Sequence, residues 1–155
     1  MNCPRHQSDP FWKIALEEAK IGFEEGGIPI GACLVYKDRV LGRGRNRRVQ
    51  LGSVIRHGEM DCLENSGRYP PKVYHNAILY TTLSPCWMCT GAILLYGIKK
   101  VVIGENHNFK GPEEVLVQHG VEIIHLDDEE CKRLLTSFIE SNPELWFEDI
   151  GKITD

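Results

Sequence analysis

The chain has 155 residues, 42% of them hydrophobic, and carries six cysteines and a formal net charge of −4. That length suits one compact domain with a real core and is short for two. The acidic balance offers no general attraction to nucleic acid, no apolar run reaches membrane-spanning length, and the polar opening lacks a secretory leader.

Residues 1–155 read as a single domain, with residues 1–8 as its flexible tail. Asp9 then Pro10 is a helix start, with Asp as N-cap and proline at the first helical position. Phe11, Ile14, Ala15, Ala19 and Phe23 recur at helical spacing up to Glu25-Gly26-Gly27. Ile30 to Tyr36 reads as a buried strand, Lys37-Asp38 as a turn, and Val40-Leu41 as the return strand running towards Asn46. A short helix is expected from His57 to Leu63, closed by Ser66-Gly67 and a Pro70-Pro71 break. A strand follows over Ala77 to Leu83. Cys86 to Tyr96 is helical and apolar on nearly every side, so it should be buried all round, one face on the sheet and the other on a second copy of the chain. Strands are expected at Val101–Ile103 and Val121–Ile124, with a helix from Pro112 to Gln118 between them. Asp127, with Glu130 three residues on, reads as the cap of a helix carrying Leu134, Leu135, Phe138 and Ile139. Asn142-Pro143 separates that helix from a final turn or helix over Glu144 to Ile150. The alternation predicts an α/β fold, a sheet of about five strands with helices on both faces.

Two motifs carry the chemistry. His57-Gly58-Glu59 is an H-x-E, and Pro85-Cys86-Trp87-Met88-Cys89 is a P-C-x-x-C, together the signature of zinc-dependent nucleobase deaminases. His57, Cys86 and Cys89 supply three ligands, leaving the fourth tetrahedral position of zinc open to water, where a structural site would be closed by four. Cys86 and Cys89 share the first turn of a helix, whose dipole favours thiolates. Glu59, two residues from His57, is poorly placed as a further ligand and well placed as the proton shuttle, with a carboxyl pKa above that of a free glutamate.

The other cysteines, Cys3, Cys33, Cys62 and Cys131, read as tail or core residues. His6, His75, His107, His119 and His125 lack a metal-spaced partner and read as structural or surface. With no leader and two cysteines at metal spacing, the thiols read as reduced, in a cytoplasmic or nuclear setting. Arg39, Arg43, Arg45, Arg47, Arg48 and Arg56 crowd the stretch ahead of H-x-E. Such a cluster can grip phosphates, but the plainer reading is a solvated strand edge and loop.

The chain resembles the fungal, yeast-type cytosine deaminases of the cytidine and deoxycytidylate deaminase superfamily. Beyond the zinc motifs, the resemblance rests on Glu25-Gly26-Gly27-Ile28-Pro29-Ile30-Gly31, Leu41-Gly42-Arg43-Gly44, Asn46 and Tyr80-Thr81-Thr82-Leu83-Ser84. It also takes in Gly104-Glu105-Asn106, Asn108-Phe109-Lys110 and Trp146-Phe147-Glu148-Asp149-Ile150-Gly151. It implies a three-layer α/β/α domain, a homodimer, one zinc per subunit and conversion of free cytosine, or 5-substituted analogues such as 5-fluorocytosine, to the uracil and ammonia in pyrimidine salvage. By the same resemblance, Asn46 and the Gly58 amide would hold the polar edge of the pyrimidine. The Ser84 carbonyl and the Asp149 carboxylate would accept from its amine, Phe109 and Trp146 would close over the ring, and Ile30 would line the pocket. One residue departs from the yeast-type pattern: Trp87 stands where those enzymes carry an acidic residue, and it is expected to face the second subunit rather than the pocket mouth.

Three other readings compete: a deaminase of tRNA adenosine, which the arginines would serve; one acting on nucleosides, nucleotides or guanine; and a non-enzymatic zinc-stabilised module closed by Cys33 or Cys62.

Overall fold

Strict alternation along three strands sorts the core into two faces. Ala32 and Leu34 of β1 (Gly31–Tyr36), Leu79 of β3 (Ala77–Leu83) and Val101 and Ile103 of β4 (Lys100–Glu105) share one apolar cluster. Cys33 and Val35, Tyr80 and Val102, their neighbours in sequence, belong to another. Side chains of period two point to opposite sides of a sheet, so strands apolar at every position must be covered on both. The sheet runs β2-β1-β3-β4-β5, with β2 spanning Arg39–Arg45 and β5 Glu122–His125. It is mixed: β1 is antiparallel to β2 and β3, while β3, β4 and β5 are mutually parallel. The computed structural model that shows this describes residues 4–154.

On one face α1 (Pro10–Glu24) brings Trp12 and Ala15, and α7 (Glu129–Ser141) brings Cys131. On the other, α3 (Gly58–Ser66) contributes Cys62, α5 (Trp87–Tyr96) Ile93, and α6 (Glu113–Gln118) Leu116. The three-layer α/β/α arrangement is thus the expected one. Two short helices were not foreseen: α2 (Arg48–Leu51), and α4 (Pro71–His75), which starts within the Pro70-Pro71 pair read as a break. Proline at the first helical position begins a helix as readily as it ends one. The last helix, α8 (Pro143–Asp149), places Trp146 in a third cluster with Ile28, Ile30, Leu83, Leu135 and Phe138, below the ends of β1 and β3.

Several local expectations hold in detail. The Asp9 side chain caps α1 by accepting from the Phe11 amide at 2.9 Å. Lys37 and Asp38 both take positive φ, 49° and 59°, as a two-residue hairpin turn requires. The face of α1 is rotated from the expected one: Trp12 is buried, whereas Phe23 is 39% exposed.

Two expectations are corrected. Residues 1–8 are not all a tail. Pro4–Ser8 forms a 3-10 turn, and His6 is buried with Nε2 2.8 Å from Asp128 Oδ2; Cys3 lies outside the described residues. The cap of α7 is Asp128, which accepts from the Cys131 amide at 2.9 Å, while Asp127 is a left-handed residue just before it. Within one chain, α5 buries Ala92 and Ile93 and leaves Leu95 74% and Trp87 70% exposed, the free face on which a second copy was expected.

Asp128 therefore holds both a helix end and the N-terminal turn. Burial alone would raise its pKa, but the Cys131 amide and His6 outweigh burial and leave it lowered. A lowered carboxylate contributes stability that is complete above its unfolded value, about 3.9, and is lost as pH falls through the folded one. Asp128→Ala is expected to cost about 1–3 kcal/mol in urea unfolding at pH 7. The gap from wild type should narrow below about pH 4, and an equal gap at pH 3 would show that the charge is not involved.

Candidate active site

Two helix N-termini converge at the C-terminal ends of the parallel strands. His57 is the N-cap residue of α3 and Cys86 that of α5, both with extended backbone, and Cys89 follows one turn into α5. One donor atom from each of His57, Cys86 and Cys89 lies within 4.8 Å of the others, and among the described residues they form the one such group. His57 Nδ1 stands 3.4 Å from Cys86 Sγ, close to the spacing of tetrahedral donors with zinc bonds of about 2.0 Å to nitrogen and 2.3 Å to sulfur. A nitrogen and two sulfurs at that spacing fit zinc. Neither Cys33 nor Cys62 closes the shell. Cys33 packs in one core face, and Cys62 packs in the other with its thiol donating to the Gly42 carbonyl at 3.5 Å.

The electrostatics suit metal ligation. The hydrogen bond from Cys89, assisted by His57, outweighs burial and holds the Cys86 thiol down to about 4. The hydrogen bond to Cys86, together with burial, pushes Cys89 up well above its ordinary value. Burial would discharge His57, but Cys86, Asp149 and Glu59 together raise it to about 9. The protons shared among these donors are the ones a divalent cation displaces, so metal affinity falls as pH falls. Burial, reinforced by Cys86, pushes the Glu59 carboxyl up to about 7. That is the range in which a carboxyl can both take and return a proton near neutrality.

Asp149 reaches the site from α8. Its Oδ1 accepts from Asn46 Nδ2 at 2.8 Å and lies 3.4 Å from His57 Nε2 and 3.9 Å from Arg48. A carboxylate on the far nitrogen of a ligating histidine directs the other nitrogen's lone pair to the metal. Burial leaves the Asp149 pKa raised, against the pull of His57, Asn46 and Arg48.

Ile30, His57, Glu59, Ser84, Cys86, Phe109 and Asp149 line one small cavity, with Leu83 and Ile150 completing its wall. Its volume is about 10 Å³, room for about one water, so a base enters only if Phe109 or Ile150 moves. The other expected binding residues stand one step back. Trp146 is buried and meets Phe109 edge-on, ring centroids 6.4 Å apart, so it backs the lid rather than touching the cavity. Asn46 is fully buried, tied to Asp149 and to the Arg48 amide. Gly58 lies against Ile30, where a methyl group would come to 3.1 Å from the Ile30 carbonyl oxygen. Outside Phe109 a groove of about 730 Å³ runs past Arg48, Trp87, Met88 and Glu148.

Reading the sequence missed Ile150, Leu83 and Arg48 as neighbours of the site, and Glu113 behind Ser84. Ile150 adjoins Asp149 in the quoted C-terminal segment and so was within reach; Glu113 meets Ser84 across 29 residues and had no local signal. Five of the six clustered arginines are answered by carboxylates. Arg43 pairs with Glu17 and Glu18, Arg45 with Glu18 and Glu25, Arg47 and Arg56 with Asp61, and Arg48 with Glu148 and Asp149.

An α/β/α layer with an open His-Cys-Cys site and a buried carboxyl beside it defines a zinc-dependent hydrolytic deaminase. Residues 5–105 match the cytidine and deoxycytidylate deaminase zinc-binding region. The chain belongs to that family, in its fungal cytosine deaminase branch. It is 55% identical over 141 residues to the cytosine deaminase of Candida albicans, covering 90% of this chain and 94% of that one. It is 33% identical over 144 residues to a tRNA-specific adenosine deaminase of Buchnera aphidicola, covering 86% and 95%. A solved structure from work on A-to-I editing by tRNA:A34 deaminases superposes with a TM-score of 0.68 at 30% identity, covering 81% of this chain and 98% of that one.

Proposed function

We propose that this protein hydrolyses free cytosine to uracil and ammonia, with the whole chain acting as one deaminase domain in pyrimidine salvage. The observation that carries the reading is 55% identity along 90% of the chain to a cytosine deaminase, against 33% to a tRNA adenosine deaminase. The carboxylate partners of Arg43, Arg45, Arg47, Arg48 and Arg56 also weigh against a phosphate-gripping surface.

When bound to His57, Cys86 and Cys89, zinc supplies Lewis-acid activation of water near neutral pH. Glu59 takes a proton from the attacking water and delivers it to N3 of the base, then takes the second proton, from the new C4 hydroxyl, and passes it to the amine, so that the C4 carbonyl forms as the C–N bond breaks and ammonia leaves. The Asp149 carboxylate and the Ser84 carbonyl accept from that amine, and the opposite polar edge is assigned, by the family resemblance, to Asn46 and the Gly58 amide, which stand just behind the cavity wall. Phe109, with Trp146 behind it, covers the ring and excludes water, which strengthens the polar contacts beneath. The same lid bounds which 5-substituted cytosines are accepted.

The exposed Leu95 and Tyr96 of α5 adjoin a groove of about 560 Å³ lined by Met60, Leu63, Tyr69 and Tyr74. A second copy of the chain is the natural cover for so apolar a face, and the mass in solution, 17.6 kDa or twice that, tests it. No helix of the described residues is long and apolar enough to cross a membrane, and we place the enzyme in the cytoplasm.

A substrate panel of cytosine, cytidine, guanine and adenosine in tRNA, scored by released ammonia, tests the reading. Cytosine is expected to lead cytidine in kcat/KM on the order of 10²-fold. A lead for cytidine, guanine or tRNA would overturn the substrate assignment while leaving the zinc chemistry in place.

A further inference from the structure

Glu113 opens α6 and is buried, yet no step described so far uses it. Its Oε2 accepts from Ser84 Oγ at 2.5 Å, and Ser84 Oγ accepts in turn from the Gly111 amide at 2.9 Å. Its Oε1 lies 2.7 Å from His125 Nε2 on β5, and Asn106 Nδ2 stands 3.5 Å from both carboxylate oxygens. One carboxylate thus joins the residue just past β3, the loop of residues 106–112 that carries Phe109, and the edge strand. The near half of that loop hangs on a second buried carboxylate, Glu105, which accepts from the His107 and Asn108 amides at 2.9 Å. At its far end Gly111 presses on the zinc-binding segment so closely that a methyl group there would overlap the Pro85 carbonyl.

A serine hydroxyl has one proton and a carboxylate only accepts. Because Ser84 gives its proton to Glu113, its lone pair is left for the Gly111 amide, so the carboxylate sets the direction of both bonds. His125 and Asn106 keep the carboxylate itself from turning. We propose that Glu113 is a positioning residue for the deamination, aiming the Ser84 carbonyl and seating the Phe109 loop through the single hydroxyl of Ser84. The inference rests on the deaminase reading for what Ser84 and Phe109 do.

The experiment compares Glu113→Met, which keeps the volume and removes both acceptors, with Glu113→Gln, which keeps an acceptor for Ser84, and with Ser84→Ala. Steady-state kinetics use whichever base leads the wild-type panel, so a wrong substrate assignment leaves this test standing. At equal zinc content, Glu113→Met and Ser84→Ala are each expected to lose about 10- to 100-fold in kcat/KM, with KM raised as well as kcat lowered. Glu113→Gln should recover most of that loss, and the double variant Ser84→Ala/Glu113→Met should be no worse than the poorer single one. Losses that multiply in the double variant would overturn the proposal, as would a Glu113→Met protein that melts earlier but keeps wild-type kcat and KM. If Glu113→Met does not fold, Ser84→Ala decides: a loss with raised KM supports the link, and unchanged constants overturn it.

Discussion

Glu59→Gln is expected to fold, bind zinc and lose turnover on the order of 10²- to 10⁴-fold. Glutamine matches glutamate in size but has no proton to take or return near neutral pH. The native side chain is buried beside Cys86 and Cys89 and its pKa is pushed up to about 7, so it occupies the place where a shuttle is needed. His57, Cys86 and Cys89 are untouched by the change, which keeps the donor cluster intact. Zinc content, melting temperature and ammonia release from cytosine, measured together, check it. Appreciable turnover in the zinc-loaded variant would mean that another group carries the proton.

Asp149 is expected to show two separable effects. Its Oδ1 faces both His57 Nε2 and Asn46 Nδ2 while the residue lines the cavity. In Asp149→Ala the buried Asn46 amide loses an acceptor, at about 1–3 kcal/mol of stability. His57 loses the partner that orients it, which at such positions costs about 10- to 100-fold in metal affinity or activity. Asp149→Asn still offers Asn46 a carbonyl oxygen and removes only the charge facing His57. It should therefore recover the stability, but neither the zinc affinity nor the cytosine kcat/KM. Competition with a chelator, urea unfolding and steady-state kinetics separate the three. A loss confined to stability in both variants would make Asp149 a structural residue and remove it from the mechanism.

What could be read locally was read well. Ala77–Leu83 is a strand with the expected bounds, and Asp9-Pro10 starts its helix where capping chemistry puts it. The misses have physical causes. Asp127 and Asp128 are chemically identical caps, and choosing between them takes the backbone, which turns left-handed at Asp127. Trp12 rather than Phe23 is buried because helical spacing defines a stripe without saying which edge of it meets the sheet. His6 is held by Asp128, 122 residues away, a contact no window along the chain contains.

The same division runs through the site. His57, Glu59, Cys86 and Cys89 were legible by themselves because metal ligation and proton transfer demand particular residue types at particular spacings, and those demands are written locally. That Asp149 backs His57, that Trp146 meets Phe109 edge-on from outside the cavity, and that Glu113 ties Ser84 to the loop of residues 106–112 are decisions of the tertiary structure alone. They depend on which side chains the mixed sheet brings within hydrogen-bond reach. Hydrogen bonds act over about 3 Å and are indifferent to distance along the chain, so only the packed layers could settle them.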